Sequence, residues 1–172
     1  MLLRNLFFSF LISGLVMPAH AQKCDASKPA TAPYSQFSQA ASAIITDNKN
    51  KNTWLRCPVG MKWDGGSCAG ISLKYTWTEA VVEVEELNKQ KIAGRNDWRL
   101  PTVDELASVA EQRCFKPAID LKAFPYSPES GFWTDTAVEG VQPRAWVVHF
   151  LNGKPYIANK NQTWRLRLIA GK

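Results

Sequence analysis

The sequence predicts an α+β domain: two helices packed on a small twisted antiparallel sheet with long loops. Three observations carry the prediction. Thr76-Trp77-Thr78-Glu79 and Thr102-Val103-Asp104-Glu105 are both capping boxes, a hydroxyl at the helix start with a glutamate three residues on. From residue 144 onward the chain alternates apolar and polar residues at the two-residue period of strands. Helices grouped ahead of an antiparallel run give α+β and not a doubly wound parallel sheet.

Residues 1–21 read as a secretory signal. Arg4 supplies the positive start, residues 6–16 an apolar stretch, Pro18 a break, and Ala19-His20-Ala21 a small-x-small cleavage site. The stretch is about half the ~20 residues that a membrane-crossing helix needs. Cleavage before Gln22 leaves residues 22–172, the size of one domain, with no stable membrane insertion expected afterwards. Cys24 stands three positions past the cut, so a lipid-modified first residue is not expected. The expected destination is the periplasm or the medium. The net charge of +6 is modest and without a dense Lys/Arg block. It suits an acidic glycan or anionic surface and excludes a nucleic-acid signature.

Residues 22–52 are rich in Ala, Ser, Pro, Asn and Lys and read as an extended arm, with a short strand near Ala43-Ile44-Ile45. The domain proper is expected over residues 53–172. Thr53-Trp54-Leu55-Arg56 begins it as a strand, and residues 58–70 follow as a Gly-rich loop that packs Trp63 between Cys57 and Cys68. In the first helix Ala80, Val84, Leu87 and Lys91 share the inward stripe, and Gly94 is a stop signal. In the second, Leu106, Val109 and Ala110 face inward. Residues 114–144 read as loop around a short strand at Phe132-Trp133-Thr134. Three terminal strands then form one antiparallel run. Residues 144–150 and 154–158 are joined by a type I′ turn at Asn152-Gly153, and Trp164, Leu166 and Leu168 alternate with Arg165, Arg167 and Ile169.

The four cysteines allow three pairings. Cys57–Cys68, closing the Gly-rich loop, and Cys24–Cys114, tying the arm to the body, are expected. By loop entropy they contribute about 2–3 and about 4–5 kcal/mol. A zinc site is not expected, because no Cys-x-x-Cys pair occurs and His149 is the one histidine after residue 21. Asp64, Glu129, Asp135 and Glu139 are too scattered for calcium. No metal and no cofactor are therefore expected. Nor is an enzyme: there is no Gly-x-Ser-x-Gly elbow, phosphate loop or His-Glu-x-x-His helix, and oxidised cysteines supply no thiolate. His149 is read as a structural or surface residue. Most of the seven tryptophans are read as core, with five or more mainly buried.

Ordered motifs carry a family resemblance. They are Trp54-Leu55-Arg56-Cys57-Pro58-Val59-Gly60, then Trp63 and Cys68, then Tyr75-Thr76-Trp77. The most distinctive is Asp97-Trp98-Arg99-Leu100-Pro101-Thr102 with Glu105-Leu106. Cys114, Phe132-Trp133-Thr134, Ala145-Trp146-Val147-Val148-His149-Phe150 and Asn152-Gly153 follow in register. Over residues 50–170 the chain resembles the Lcl C-terminal domain family. The resemblance implies a C-type-lectin-like fold, related in plan to the formylglycine-generating enzyme and to variable phage receptor-binding domains. It also implies envelope or extracellular placement. The family's namesake is the C-terminal domain of a trimeric collagen-like adhesin that binds sulfated glycosaminoglycans. This chain has no Gly-x-y tract to enforce a trimer, so the oligomeric state stays open. It also lacks the Glu-Pro-Asn, Gln-Pro-Asp and Trp-Asn-Asp signatures of calcium-dependent lectins. The shared residues Trp54, Trp63, Trp77, Trp98, Arg99, Leu100, Pro101, Trp133 and Trp146 read as structural.

Two functions follow as expectations. The first is a non-enzymatic module that binds an anionic glycan or cell-surface ligand, through the basic residues Lys122, Arg144, Lys154, Lys160, Arg165 and Arg167. The second is a protein-binding envelope factor, an accessory subunit of a surface structure or a periplasmic toxin inhibitor.

Overall fold

A computed structural model of the chain describes residues 22–38, 42–140 and 142–171. The signal-like segment 1–21 lies outside the described residues. The arm opens with β1 (Lys23–Cys24) and reaches β2 (Ile44–Asp47), which forms a hairpin with β3 (Asn52–Leu55). The buried Asp47 carboxylate closes that hairpin by accepting the Lys49 and Asn50 backbone N–H groups and the Asn50 side-chain amide. The 52/53 boundary between arm and domain thus falls inside β3. The expected Gly-rich loop contains a second hairpin, β4 (Met61–Trp63) with β5 (Cys68–Gly70), stapled to the body by Cys57–Cys68. Trp63 is half-buried in it, its ring 4.1 Å from the Arg56 guanidinium.

Helix α1 (Trp77–Lys89) begins with both bonds of its capping box, Glu79 N–H to Thr76 Oγ1 and Thr76 N–H to Glu79 Oε2. It buries Ala80 and Val84 and half-buries Leu87. Lys91 lies beyond the helix end, exposed and left-handed at φ 52°, so it leaves the inward stripe; Gly94 belongs to the 3-10 turn Ile92–Gly94 that follows. β6 (Trp98–Arg99) leads into α2 (Val103–Ser108), again capped by a complete box at Thr102 and Glu105. Leu106, Val109 and Ala110 are all buried as expected, but only Leu106 lies on the helix: Val109 caps its C-terminal end and Ala110 bridges to Ile119. β7 (Cys114–Phe115) pairs with β1, and Cys24–Cys114 cross-links the two strands. Both disulfides are the expected ones.

Four strands remain: β8 (Gly131–Ala137), β9 (Arg144–His149), β10 (Lys154–Asn159) and β11 (Ile169–Ala170). β8 is longer than the three residues expected. Two small antiparallel sheets organise the fold, one in the order β10-β9-β8 and one in the order β2-β3-β11-β6. The three terminal strands therefore do not share a sheet, which corrects the expected run. The segment before β11 crosses from one sheet to the other. Arg165 bonds into β8, its N–H to the Gly131 carbonyl and its carbonyl to the Trp133 N–H, while the Leu166 and Leu168 carbonyls accept the Val59 and Leu55 N–H groups. The alternating pattern misleads here because residues 166–170 are buried on both faces. A segment without a solvent face carries no signal for its partner strand.

β8 and β9 also separate two cores. Phe132, Val148 and Phe150 meet Leu106, Val109, Trp54 and Phe124 on one side. Trp133, Ala145 and Val147 meet Ala80, Val84, Trp98, Leu100 and Leu168 on the other. Trp54, Trp98 and Trp133 are fully buried, while Trp63, Trp77, Trp146 and Trp164 are half-buried. The β9–β10 connection has four residues, since His149 pairs with Lys154, and not the two of a type I′ turn. Gly153 takes φ 71° there, and its N–H and that of Asn152 both reach the His149 carbonyl.

Arg167, 0% exposed, lies between the cores. Its Nη1 donates to the Arg56 carbonyl at 2.6 Å and its Nη2 to Ser127 Oγ at 2.7 Å. The guanidinium lies 4.6 Å from the Phe124 ring centroid and 5.4 Å from that of Phe132. Burial lowers its pKa to about 9, which leaves it charged at neutral pH. Arg167→Ala should lower unfolding free energy by about 3–5 kcal/mol, because it leaves buried acceptors unpaired and opens a void. Arg167→Met, which refills the space, should cost clearly less. Urea denaturation curves of the three proteins check both.

Candidate functional site

One face of the β10-β9-β8 sheet is covered by the second core along most of its length and is open at the His149 and Tyr156 end. Cross-strand pairing puts Lys154 opposite His149, Tyr156 opposite Val147 and Ala158 opposite Ala145, so these side chains share it. Gly131 pairs with His149 from the β8 side. A Cβ at Gly131 would stand 2.7 Å from Cε3 of Trp164 and 2.6 Å from Cγ1 of Val147. The absent side chain is what lets the Trp164 indole lie against the sheet. The result is a cleft of about 360 Å³, floored by Val147 and Ala158, walled by His149, Tyr156 and Trp164, and edged by Gln162. Tyr156 is 46% exposed. The His149 ring meets the Tyr156 and Trp164 rings edge to face, at 6.2 and 5.8 Å between centroids. β10 is the sheet edge, and Lys154 and Pro155 guard it against strand addition.

The hydrogen bonds sort the polar groups of the cleft. His149 Nδ1 accepts the Leu151 N–H at 3.1 Å, which places the proton of the neutral ring on Nε2. Burial holds its pKa below the ordinary 6.5. Gln162 Oε1 accepts the Asn159 N–H, Asn152 Oδ1 accepts the Lys154 N–H, and the Tyr156 oxygen accepts the Asn152 side-chain amide at 2.7 Å. Each of these side-chain acceptors thus already takes a bond from the protein itself. What remains to offer is His149 Nε2–H, the Tyr156 hydroxyl proton, the Gln162 amide N–H groups and the Lys154 ammonium. Among the described residues no Asp or Glu lines the cleft.

Of the six basic residues expected to meet a ligand, one belongs to this face: Lys154. Arg144 and Lys160 lie at the opposite end of the β9–β10 pair, where Arg144 is exposed and pairs with Asn159. Lys160 Nζ sits 3.7 Å above the Trp77 ring. Lys122 is exposed on the long loop and accepts Arg56 Nη2 through its carbonyl. Arg165 is half-buried and donates to the Ser72 carbonyl. Arg167 leaves the set: it has no surface through which to touch a ligand. Sequence reasoning left Trp164, His149 and Tyr156 without a role in binding. Counting the register back from the hairpin sets His149 and Tyr156 on one face; nothing local in the sequence brings Trp164 to them.

The remaining motif residues serve the fold. Arg99 grips Glu105 with both ends of its guanidinium, at 2.8 and 2.7 Å, and reaches the Gly171 carbonyl, so one side chain joins β6, α2 and the end of the chain. Trp98, Trp133 and Trp77 donate their indole N–H groups to the Ile92, Tyr75 and Thr134 carbonyls. Leu100 is buried, and the Pro101 carbonyl accepts the Asp135 N–H. Tyr75 is half-buried, and desolvation together with the neighbouring Glu83 carboxylate raises its pKa to about 12. A second concavity of about 370 Å³, between α1 and the β4–β5 hairpin, is lined by apolar residues such as Leu55, Val59, Leu87 and Ile92. Among the described residues no three His, Cys, Asp or Glu side chains gather as a metal site would require.

Fold and site together define a disulfide-stapled α+β domain with an aromatic cleft that offers side-chain donors. The chain belongs to the Lcl C-terminal domain family, whose model matches residues 43–170, from the threshold of β2 to the last residue of β11. No curated protein matches it.

The fold favours neutral His149, so its contribution to stability is complete above about pH 6.5 and is lost as the pH falls below that value. His149→Asn keeps an acceptor on the side chain and cannot titrate. Its melting temperature should fall less than that of the wild type between about pH 7 and pH 5. Parallel melting curves across that range would contradict the assignment.

Proposed function

We propose that this chain is an exported, non-enzymatic binding module that takes an anionic glycan in the cleft of the β9–β10 face. One observation carries the reading: among the described residues, the side-chain acceptors His149 Nδ1, Tyr156 Oη and Gln162 Oε1 already take bonds from the protein itself, while the donors His149 Nε2–H, the Tyr156 hydroxyl and the Gln162 amide remain, set among three aromatic rings. Sulfate and carboxylate oxygens are acceptors, and charge-assisted bonds to them are the strong ones. The apolar faces of a sugar ring suit the Tyr156 and Trp164 rings. Two disulfides fit an oxidising compartment. With the signal-like residues 1–21, they support cleavage near Ala21 and a periplasmic or secreted site of action. No helix among the described residues is long and apolar enough to cross a membrane. Two helices beside small antiparallel sheets, a long loop and two disulfides support the C-type-lectin-like plan that the family resemblance implies.

A protein partner is the second reading, and the apolar concavity beside α1 favours it. Gly60 lines that concavity with Leu73 packed against it, and the neighbouring Ile71 is 78% exposed. Such a partner would be an envelope protein.

Immobilised heparin tests the first reading. The wild type should bind at low salt and elute as salt rises. Lys154→Ala and Tyr156→Ala should each weaken binding about tenfold, while Lys122→Ala and Arg144→Ala elute with the wild type. Flow-through of the wild type at low salt would remove the proposal. Loss of binding in the Arg144 variant alone would move the site to the other end of the sheet.

A further inference from the structure

We infer that Gln22 is a modification site gated by folding: its cyclisation to pyroglutamate proceeds in the unfolded chain and is blocked in the folded one. The inference rests on the proposed cleavage after Ala21, which makes Gln22 the first residue and gives it a free α-amine. In the reaction that amine attacks the side-chain Cδ. A new N–C bond closes a five-membered lactam, the bond from Cδ to Nε2 breaks, and the amide nitrogen departs as ammonia with a proton from the amine. No oxidant, reductant or co-reactant is needed.

The folded domain opposes each part of this step. Gln22 is half-buried, and its Nε2 donates to the Pro117 carbonyl at 2.7 Å and to the Ile119 carbonyl at 2.6 Å. Both amide hydrogens are thereby committed to a segment more than ninety positions along the chain. To cyclise, the side chain must let go of both carbonyls and fold back over its own amine. The main chain cannot follow it easily, because Lys23 and Cys24 pair with Phe115 and Cys114, and Cys24–Cys114 locks the pairing. Cyclisation would also remove the donor that satisfies the two carbonyls. The order of events during export, folding before or after ring closure, therefore decides whether the first residue fastens the arm to the body.

Intact mass spectrometry of the full-length protein, exported and recovered with its disulfides formed, tests this. The expected mass is that of a chain beginning at Gln22 with its amide intact. On incubation the folded protein should lose ammonia at least about tenfold more slowly than the same protein reduced and unfolded in denaturant. The paired substitutions Cys24→Ser and Cys114→Ser should shift the rate toward the unfolded one. Folded protein with the Gln22 amide intact that cyclises as fast as unfolded protein would overturn the clamp while leaving the cleavage reading intact. A chain beginning at any other residue would overturn the cleavage reading and this inference with it.

Discussion

A buried guanidinium with no carboxylate beside it holds the middle of this domain. Arg167 stands between the Phe124 and Phe132 rings and binds the Arg56 carbonyl and the Ser127 hydroxyl. It belongs to residues 164–170, which run from β8 of one sheet to β3 and β6 of the other. The charge is costly to bury, and the fold retains it where several segments meet. Arg56 works beside it, donating to the Lys122 and Ala123 carbonyls and so pinning the long loop from within. Guanidinium groups suit this task, because a planar fork can satisfy carbonyls from different segments at once.

The cleft is a consequence of that crossing. To enter β8 at Gly131 and leave toward β3, the chain lays Trp164 on the sheet, and the missing side chain at Gly131 makes the room. Once the indole is there, the His149 ring sits between it and Tyr156. The tight β9–β10 connection then consumes the acceptors of Asn152 and His149 in its own turn. Rigid strands carry the His149 and Tyr156 side chains, and the supporting bonds fix their orientation, which is the arrangement expected of a preorganised site.

Much of the fold was legible because its signals are local. Both capping boxes specify helix starts within four residues, and each forms as the sequence predicts. The cysteine spacing separated a short staple from a long tie. What escaped depends on distant partners. Residues 166–170 alternate like a half-exposed strand yet are buried throughout, so their pattern could not name β3 and β6 as neighbours. Arg165 and Arg167 looked like surface cations, because sequence alone does not distinguish a solvated arginine from one that ties carbonyls together. The site was half legible. Lys154 was identified by charge, whereas Tyr156 and His149 emerge from strand register and Trp164 only from the tertiary crossing.

The proposed meeting place with an acidic sugar is the face between His149, Tyr156, Gln162 and Trp164. Titration of the ¹⁵N-labelled protein with a sulfated heparin disaccharide, followed by amide and indole N–H shifts, addresses it most directly. The account predicts that the shifts concentrate at residues 149–156 and 162–164, with the Trp164 indole among them. Shifts confined to the Arg144 and Lys160 end or to the long loop, or no shifts at all, would contradict it.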